Sequence, residues 1–407
     1  MTSDQQPVRV AGDDLLEFSK AASRHFYDSE RSETVGLFAD VFRHRYRAWW
    51  VKDPERDRVV GNLGVIESDL SLPGGARLPQ AGITAVGVAQ TMRRRGLLNA
   101  MMTACLDEAM EREEPVASLF ASETPIYGRY GFGLGAACHA YRIDTRRVAF
   151  HDPVDVRLVE EASPQEAYDA WPAIFERMRD GRGGVAGSTP EQWRLATLED
   201  PPSWAEGASP RRLVHVPGRG FARYRLKGAE EDLVPTGEVQ LGDLVATDPE
   251  AEAALWQHVC GIDLMASVQV QLRPVDDALP ELVTDRLALF TRFGPPYYVR
   301  VLDVARCLTA RSYLGEGATV LEVVDPDGRT GGRYAVEVGP DGSDVRSTDR
   351  DPDLVLPIEQ LPGVWLGAVR ATTLVAARRI EERRTGAAAE LDRLFAVERA
   401  PWTTLVF

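Results

Sequence analysis

The sequence predicts an α/β (α+β) protein in three parts: two strand-to-helix units, then a smaller α+β unit. Three observations lead there. Twice, a strand-like run passes through a short junction into a helical pattern, after residues 83–88 and again after residues 238–245. The last part instead alternates with period two between Asp-Pro-Asp-Gly and Gly-Pro-Asp-Gly turns. A chain of 407 residues also exceeds one ordinary core.

Composition narrows the functional classes. Charged residues at 27% and apolar residues at 44% are those of a globular protein. No window holds the roughly 18 apolar residues of a membrane span, and the polar, acidic start MTSDQQPVRVAGDD is no signal peptide, so a cytoplasmic protein without membrane partners is expected. The net charge of −15 argues against nucleic acid and favours cationic partners. Cys105, Cys138, Cys260 and Cys307 lie far apart, and the histidines show no ligand spacing, so no metal is expected.

In chain order, residues 13–26 and 35–44 read as helices. Residues 46–51 and 59–65 read as strands joined by the Asp53-Pro54-Glu55 turn. After a Pro73-Gly74-Gly75 turn comes the stretch of greatest interest, GITAVGVAQTMRRRGLLNAMM (82–102). A strand feeds a basic turn with one glycine, Arg93-Arg94-Arg95-Gly96, and Leu97, Leu98, Met101 and Met102 then take helical spacing. The free N–H groups and dipole of a helix start favour an anion, and Gly96 allows close approach, which suits a pyrophosphate. A solvated basic turn is the plainer alternative.

Past Pro115, residues 116–121 read as a buried parallel strand, and Pro125 as the first turn of a short helix carrying Tyr127. In the second part, Ser163-Pro164-Gln165-Glu166, Thr189-Pro190-Glu191-Gln192 and Thr247-Asp248-Pro249-Glu250 read as three capping boxes. Strands are expected at 212–216, 220–226 and 238–245. The last of these meets its helix at Asp248 and Glu250, where the first junction has arginines. A carboxylate cap satisfies the helix N–H groups and repels phosphate, so the second part is not expected to hold a cofactor. In the third part, residues 318–324 and 333–338 read as strands, 354–356 as an edge strand, and 358–381 and 387–398 as helical.

Arg93-Arg94-Arg95-Gly96-Leu97-Leu98 resembles the pyrophosphate loop of GNAT acetyltransferases, Gln/Arg-x-x-Gly-x-Gly/Ala, and departs from it at Leu98. Together with Val86-Gly87-Val88-Ala89, Ala121-Ser122-Glu123, Ile126-Tyr127-Gly128-Arg129 and the final Phe407, the whole chain resembles the Eis (enhanced intracellular survival) acetyltransferases. The resemblance implies tandem GNAT folds, with an active N-terminal domain (1–150), a degenerate central domain (151–292) and a C-terminal domain like the sterol carrier proteins (293–407).

It further implies acetyl-CoA as co-substrate and an amine acceptor on a polycationic small molecule such as an aminoglycoside. A homohexamer built as a dimer of trimers is also implied. By position, the backbone of Val86, Gly87 and Val88 would run along the pantetheine arm. Arg94, Arg95, Gly96, Leu97, Leu98 and Asn99 would cradle the phosphates, and Ser122 and Glu123 would line the reactive end. Tyr127 would be the general acid, the α-carboxylate of Phe407 the general base and Asp28 the acid of the acceptor pocket. Each has a plainer counterpart: a core aromatic, a frayed tail, a solvated loop acid. Glu123 is a rival base. Two other functions stay open, a protein lysine acetyltransferase and a non-catalytic lipid- or ligand-binding protein.

Overall fold

The computed structural model describes residues 6–10, 12–26, 32–43, 46–339 and 342–404. The first part begins with β1 (Val8–Arg9), α1 (Leu15–His25), α2 (Ser32–Val41), β2 (Tyr46–Asp53), β3 (Arg58–Ser71) and β4 (Arg77–Val88). It continues with α3 (Leu97–Glu111), β5 (Val116–Phe120), α4 (Thr124–Tyr127), β6 (Gly133–Ala136) and β7 (Cys138–Asp144).

The second part holds β8 (Glu160–Glu161), α5 (Pro164–Asp180), α6 (Pro190–Thr197), β9 (Arg212–Val216), β10 (Gly220–Lys227) and a small hairpin, β11 (Glu230–Glu231) with β12 (Val234–Pro235). It goes on through β13 (Gly237–Ala246), α7 (Pro249–Cys260), β14 (Met265–Pro274), α8 (Leu279–Leu282), β15 (Leu289–Phe293) and β16 (Tyr297–Val301). The third runs α9 (Val304–Ala310), β17 (Gly317–Val324), β18 (Gly332–Gly339), β19 (Gly342–Ser347), β20 (Leu354–Pro357), α10 (Leu361–Leu366), α11 (Ala371–Ala376), β21 (Glu381–Glu382) and α12 (Ala387–Leu394).

Local chemistry accounts for many of these starts. Ser163 Oγ accepts from the Glu166 N–H at 3.3 Å, and the Glu166 carboxylate accepts from the Ser163 N–H at 2.8 Å. Thr189 and Gln192 make the same exchange at 3.2 and 2.9 Å. Each cap stabilises its helix by about 1 kcal/mol.

The sheets do not follow the linear order. One runs β1-β2-β3-β4-β5-β16-β6 and the other β15-β7-β14-β13-β10-β9-β8. The first two parts have exchanged a strand: β16 lies between β5 and β6, and β7 lies between β14 and β15. Linear boundaries at 150 and 292 cut across that exchange. The third sheet runs β19-β18-β17-β20-β21.

Alternation along β2 sorts the core of the first sheet. Ala48 and Trp50 face α1 and α2 with Phe18 and Phe42, while Trp49 and Val51 face α3 with Met101, Met102 and Leu106. Arg300 of β16 meets Asp325 of the third part at 2.6 Å, both side chains buried. Burial pushes the Asp325 carboxyl up, but the Arg300 hydrogen bond and charge, helped by Thr330, bring it net below the usual carboxylate range.

Two expectations fail in the third part. Residues 354–357 are not an edge, because β21 pairs with β20 on its outer side. The helical pattern at 358–381 is broken: Gly367, at φ +83°, ends α10, and α11 stops at Ala376. Among the described residues no helix is long and apolar enough to cross a membrane.

Candidate active site

β4 and β5 pair in parallel only where Gln80, Ala81 and Gly82 meet Val116, Ala117 and Ser118. Beyond Gly82 the strands part and leave a wedge, along which Thr84 to Ala89 stay half-buried. On the other edge of β4 the ladder to β3 slips. Thr84 pairs with Gly64 and Gly87 with Asn62, so Ala85 and Val86 stand opposite Leu63 alone. Ala85 takes the left-handed φ of +49°. Its carbonyl accepts from the side chain of Asn62, which also bonds the His25 ring. Burial, more than nearby Arg24 and Arg58, lowers the His25 pKa, so the ring is neutral at neutral pH. Sequence reasoning overlooked Asn62 and His25. The available signal was a lone amide in the apolar run Val59-Val60-Gly61-Asn62-Leu63-Gly64-Val65.

At the end of the wedge the chain curls. Arg94 at φ +63° and Gly96 at +82° are both left-handed, two residues apart, so the chain turns tightly just ahead of α3. Gly96 caps α3 without a side-chain bond, and among the described residues no side chain caps the first-turn N–H groups of Leu97, Leu98 and Asn99. Leu97 is buried and anchors the turn, while Arg93, Arg94, Arg95 and Asn99 are exposed. A cleft of about 250 Å³ on the α1 side, lined by Arg24, His25, Arg58, Gln90 and Thr91 among others, keeps the surroundings basic.

The loop after β5 closes the other side. Ser122 and Glu123 are exposed there, and Glu123 meets Arg93 at 3.7 Å. Tyr127 ends α4, buried, with its ring edge-on to Phe132 at 6.1 Å. Burial first, then Glu123 and Tyr130, push its phenol up to about 12. The fold thus gathers Val86 to Val88, Arg94 to Asn99, Ser122, Glu123 and Tyr127 around one wedge.

Asp28 and Phe407 lie outside the described residues. The segment leading to Phe407 is packed down through Thr404. Ala400 is held by Arg182 at 2.7 Å and Asp276 at 2.9 Å. The Trp402 indole N–H donates to the Leu272 carbonyl at 3.3 Å, and the Thr404 hydroxyl bonds Asp243.

The second sheet makes the same wedge and fills it. β13 and β14 pair in parallel over residues 237–240 and 265–269, then part. Into the gap comes Arg273, whose guanidinium donates to the Leu244 carbonyl at 2.5 Å, to Asp277 at 2.6 Å and to Glu252 at 2.9 Å. Trp402 and Thr404 reach its two flanking strands. The junction is closed too. Asp248 accepts from the Ala251 N–H at 3.0 Å, Pro249 has no N–H to offer, and Arg219 spans Asp248 at 2.6 Å and Glu250 at 2.8 Å. The capping box expected from Thr247 to Glu250 does not form. Asp248 is the cap, Glu250 turns to Arg219, and Thr247 bonds the Arg219 carbonyl. A phosphate there would meet carboxylates.

Comparison with known proteins gives these wedges a family. The acetyltransferase (GNAT) domain matches residues 9–135, a second such domain matches 184–301, and the sterol carrier protein domain matches 304–404. An uncharacterised N-acetyltransferase of Streptomyces coelicolor is 38% identical over 92% of each chain. The N-acetyltransferase Eis of Mycobacterium tuberculosis is 33% identical over 86% of each. The crystal structure of Eis1 from Mycobacterium abscessus superposes with a TM-score of 0.83 and 30% identity, covering 100% of both chains. With tandem GNAT domains followed by a sterol-carrier-like domain, this chain belongs to the Eis family of N-acetyltransferases.

Proposed function

We propose that the chain moves an acetyl group from acetyl-CoA directly to an amine of a polycationic small molecule, an aminoglycoside or a polyamine. The observation that carries this reading is the uncapped, left-handed turn at Arg94 and Gly96, which opens onto the same wedge as the buried phenol of Tyr127.

In this reading the N–H groups from Arg94 to Asn99 hold the diphosphate. The backbone of Val86, Gly87 and Val88 hydrogen-bonds the pantetheine arm, and Ser122 and Glu123 line its reactive end. As the new C–N bond forms and the C–S bond breaks, Tyr127 gives its proton to the leaving sulfur. A phenol held near 12 is fully protonated at neutral pH, so the acid is always loaded. The amine's proton goes to the α-carboxylate of Phe407. Packing of residues 400–404 supports that role, since a held segment costs less entropy to place than a loose one. Asp28 receives the acceptor's charge.

Thiol release from acetyl-CoA, measured against a panel of polyamines, aminoglycosides and lysine peptides, tests the reading. Turnover with polycationic small amines is expected. Turnover with lysine peptides alone would overturn the acceptor class, and none with any amine would overturn the reaction. Adding one residue after Phe407 should abolish most activity; an unchanged rate would remove the carboxylate from the mechanism.

A further inference from the structure

Asn62 is fully buried, and a buried amide is costly unless its polar atoms are satisfied. Two groups satisfy it. The Ala85 carbonyl can only accept, so Asn62 turns Nδ2 toward it. Oδ1 then faces His25, and His25 carries its hydrogen on Nδ1.

The geometry of one peptide group follows. A trans peptide is planar, with its C=O and N–H pointing in opposite directions. Asn62 holds the Ala85 carbonyl toward β3. The N–H of Val86, in the same peptide group, therefore points away from β3 and into the wedge between β4 and β5. The left-handed Ala85 makes this rotation possible, at a cost of about 1 kcal/mol or more. Gly87 belongs to the same arrangement. A Cβ at that position would stand 2.7 Å from His25 Cβ and 3.2 Å from Asn62 Oδ1, so only glycine leaves room for His25 on β4.

We propose that Asn62, braced by His25, is a positioning residue that holds the Val86 N–H in the wedge as a donor to the thioester carbonyl. This rests on the acetyl-CoA reading above. When the amine attacks, negative charge grows on the carbonyl oxygen, and a donor fixed beforehand stabilises it without reorganising. The charge is released when the C–S bond breaks and the sulfur takes its proton. Neither Asn62 nor His25 touches the reacting atoms.

The test is the carbonyl stretch of carbonyl-13C acetyl-CoA bound to the protein, read by difference infrared spectroscopy alongside kcat and the acetyl-CoA Kd. In the wild type, the bound stretch should lie below that of free acetyl-CoA. Asn62→Asp keeps the shape but loses the Nδ2 donor. It should move the stretch back toward the free value and lower kcat about 10- to 100-fold, with Kd little changed. His25→Leu should act in the same direction, and His25→Asn, whose amide can donate where Nδ1 did, should recover most of the loss. If Asn62→Asp fails to fold, the two His25 variants decide at a half-buried position. A wild-type stretch and kcat in Asn62→Asp would overturn the proposal, as would equal behaviour of His25→Asn and His25→Leu. A wild-type protein that binds no acetyl-CoA would instead overturn the reading beneath it.

Discussion

At Gly96 the first strand-to-helix junction leaves its helix N–H groups uncapped beneath three exposed arginines. At Asp248 the second covers the Ala251 N–H with a carboxylate, removes another N–H with Pro249 and pairs Asp248 and Glu250 with Arg219. The wedges behind them differ in the same sense. The first stays open between β4 and β5, while Arg273 fills the second with a side chain that is buried together with Asp277. Both sheets part their central strands alike, so the fold supplies the wedge and a few side chains decide whether a ligand can use it. The filled wedge still has work: its flanking residues Leu272 and Asp243 hold the segment that leads to Phe407.

Substitutions can break or sharpen this contrast. The largest effect belongs to Arg273→Ala, which takes the guanidinium from buried Asp277 and half-buried Glu252 and should cost about 4 kcal/mol. Thermal unfolding measures it. A fully stable variant that gained a second acetyl-CoA site would show that filling alone separates the wedges. Tyr127→Phe should lower kcat about 100-fold with an unchanged acetyl-CoA Kd. A fall in binding instead would make Tyr127 part of the wall rather than the acid. Its raised pKa also sets a sign. The phenol stays protonated as pH rises past the ordinary tyrosine value of about 10, so no Tyr127-linked loss of kcat should appear between about pH 8 and 10.

Reversing charge at the open junction, with Arg94→Glu and Arg95→Glu together, should raise the KM for acetyl-CoA about tenfold or more and spare kcat. An unchanged KM would remove this junction from acetyl-CoA binding. The smallest effect is expected at the closed junction, where Asp248→Ala should cost about 1 kcal/mol of stability and leave turnover untouched. Altered turnover there would give the second junction a part in the reaction.

What the sequence made legible was local. Ser163 with Glu166 and Thr189 with Gln192 cap their helices as read, because a cap needs only neighbours three residues away. The contrast between Arg94 and Asp248 was visible for the same reason. The reading failed where distant residues decide. Thr247 gave way to Asp248 because Arg219, in the turn before β10, draws both acids. The exchange of β7 for β16 rests on pairing between strands far apart in sequence, which periodicity does not encode. Asn62 went unread, since its partners His25 and Ala85 come from a helix before it and a strand after it. The helical pattern at 358–381 was real in its spacing, yet Gly367 stopped it.

The central claim is that one of two like junctions holds the co-substrate. Isothermal titration of the full chain with acetyl-CoA tests it most directly, in the wild type and in the Arg94→Glu, Arg95→Glu variant. One molecule per chain, with affinity lost in the variant, is the predicted result. Two per chain, or one whose affinity survives the variant, would contradict it.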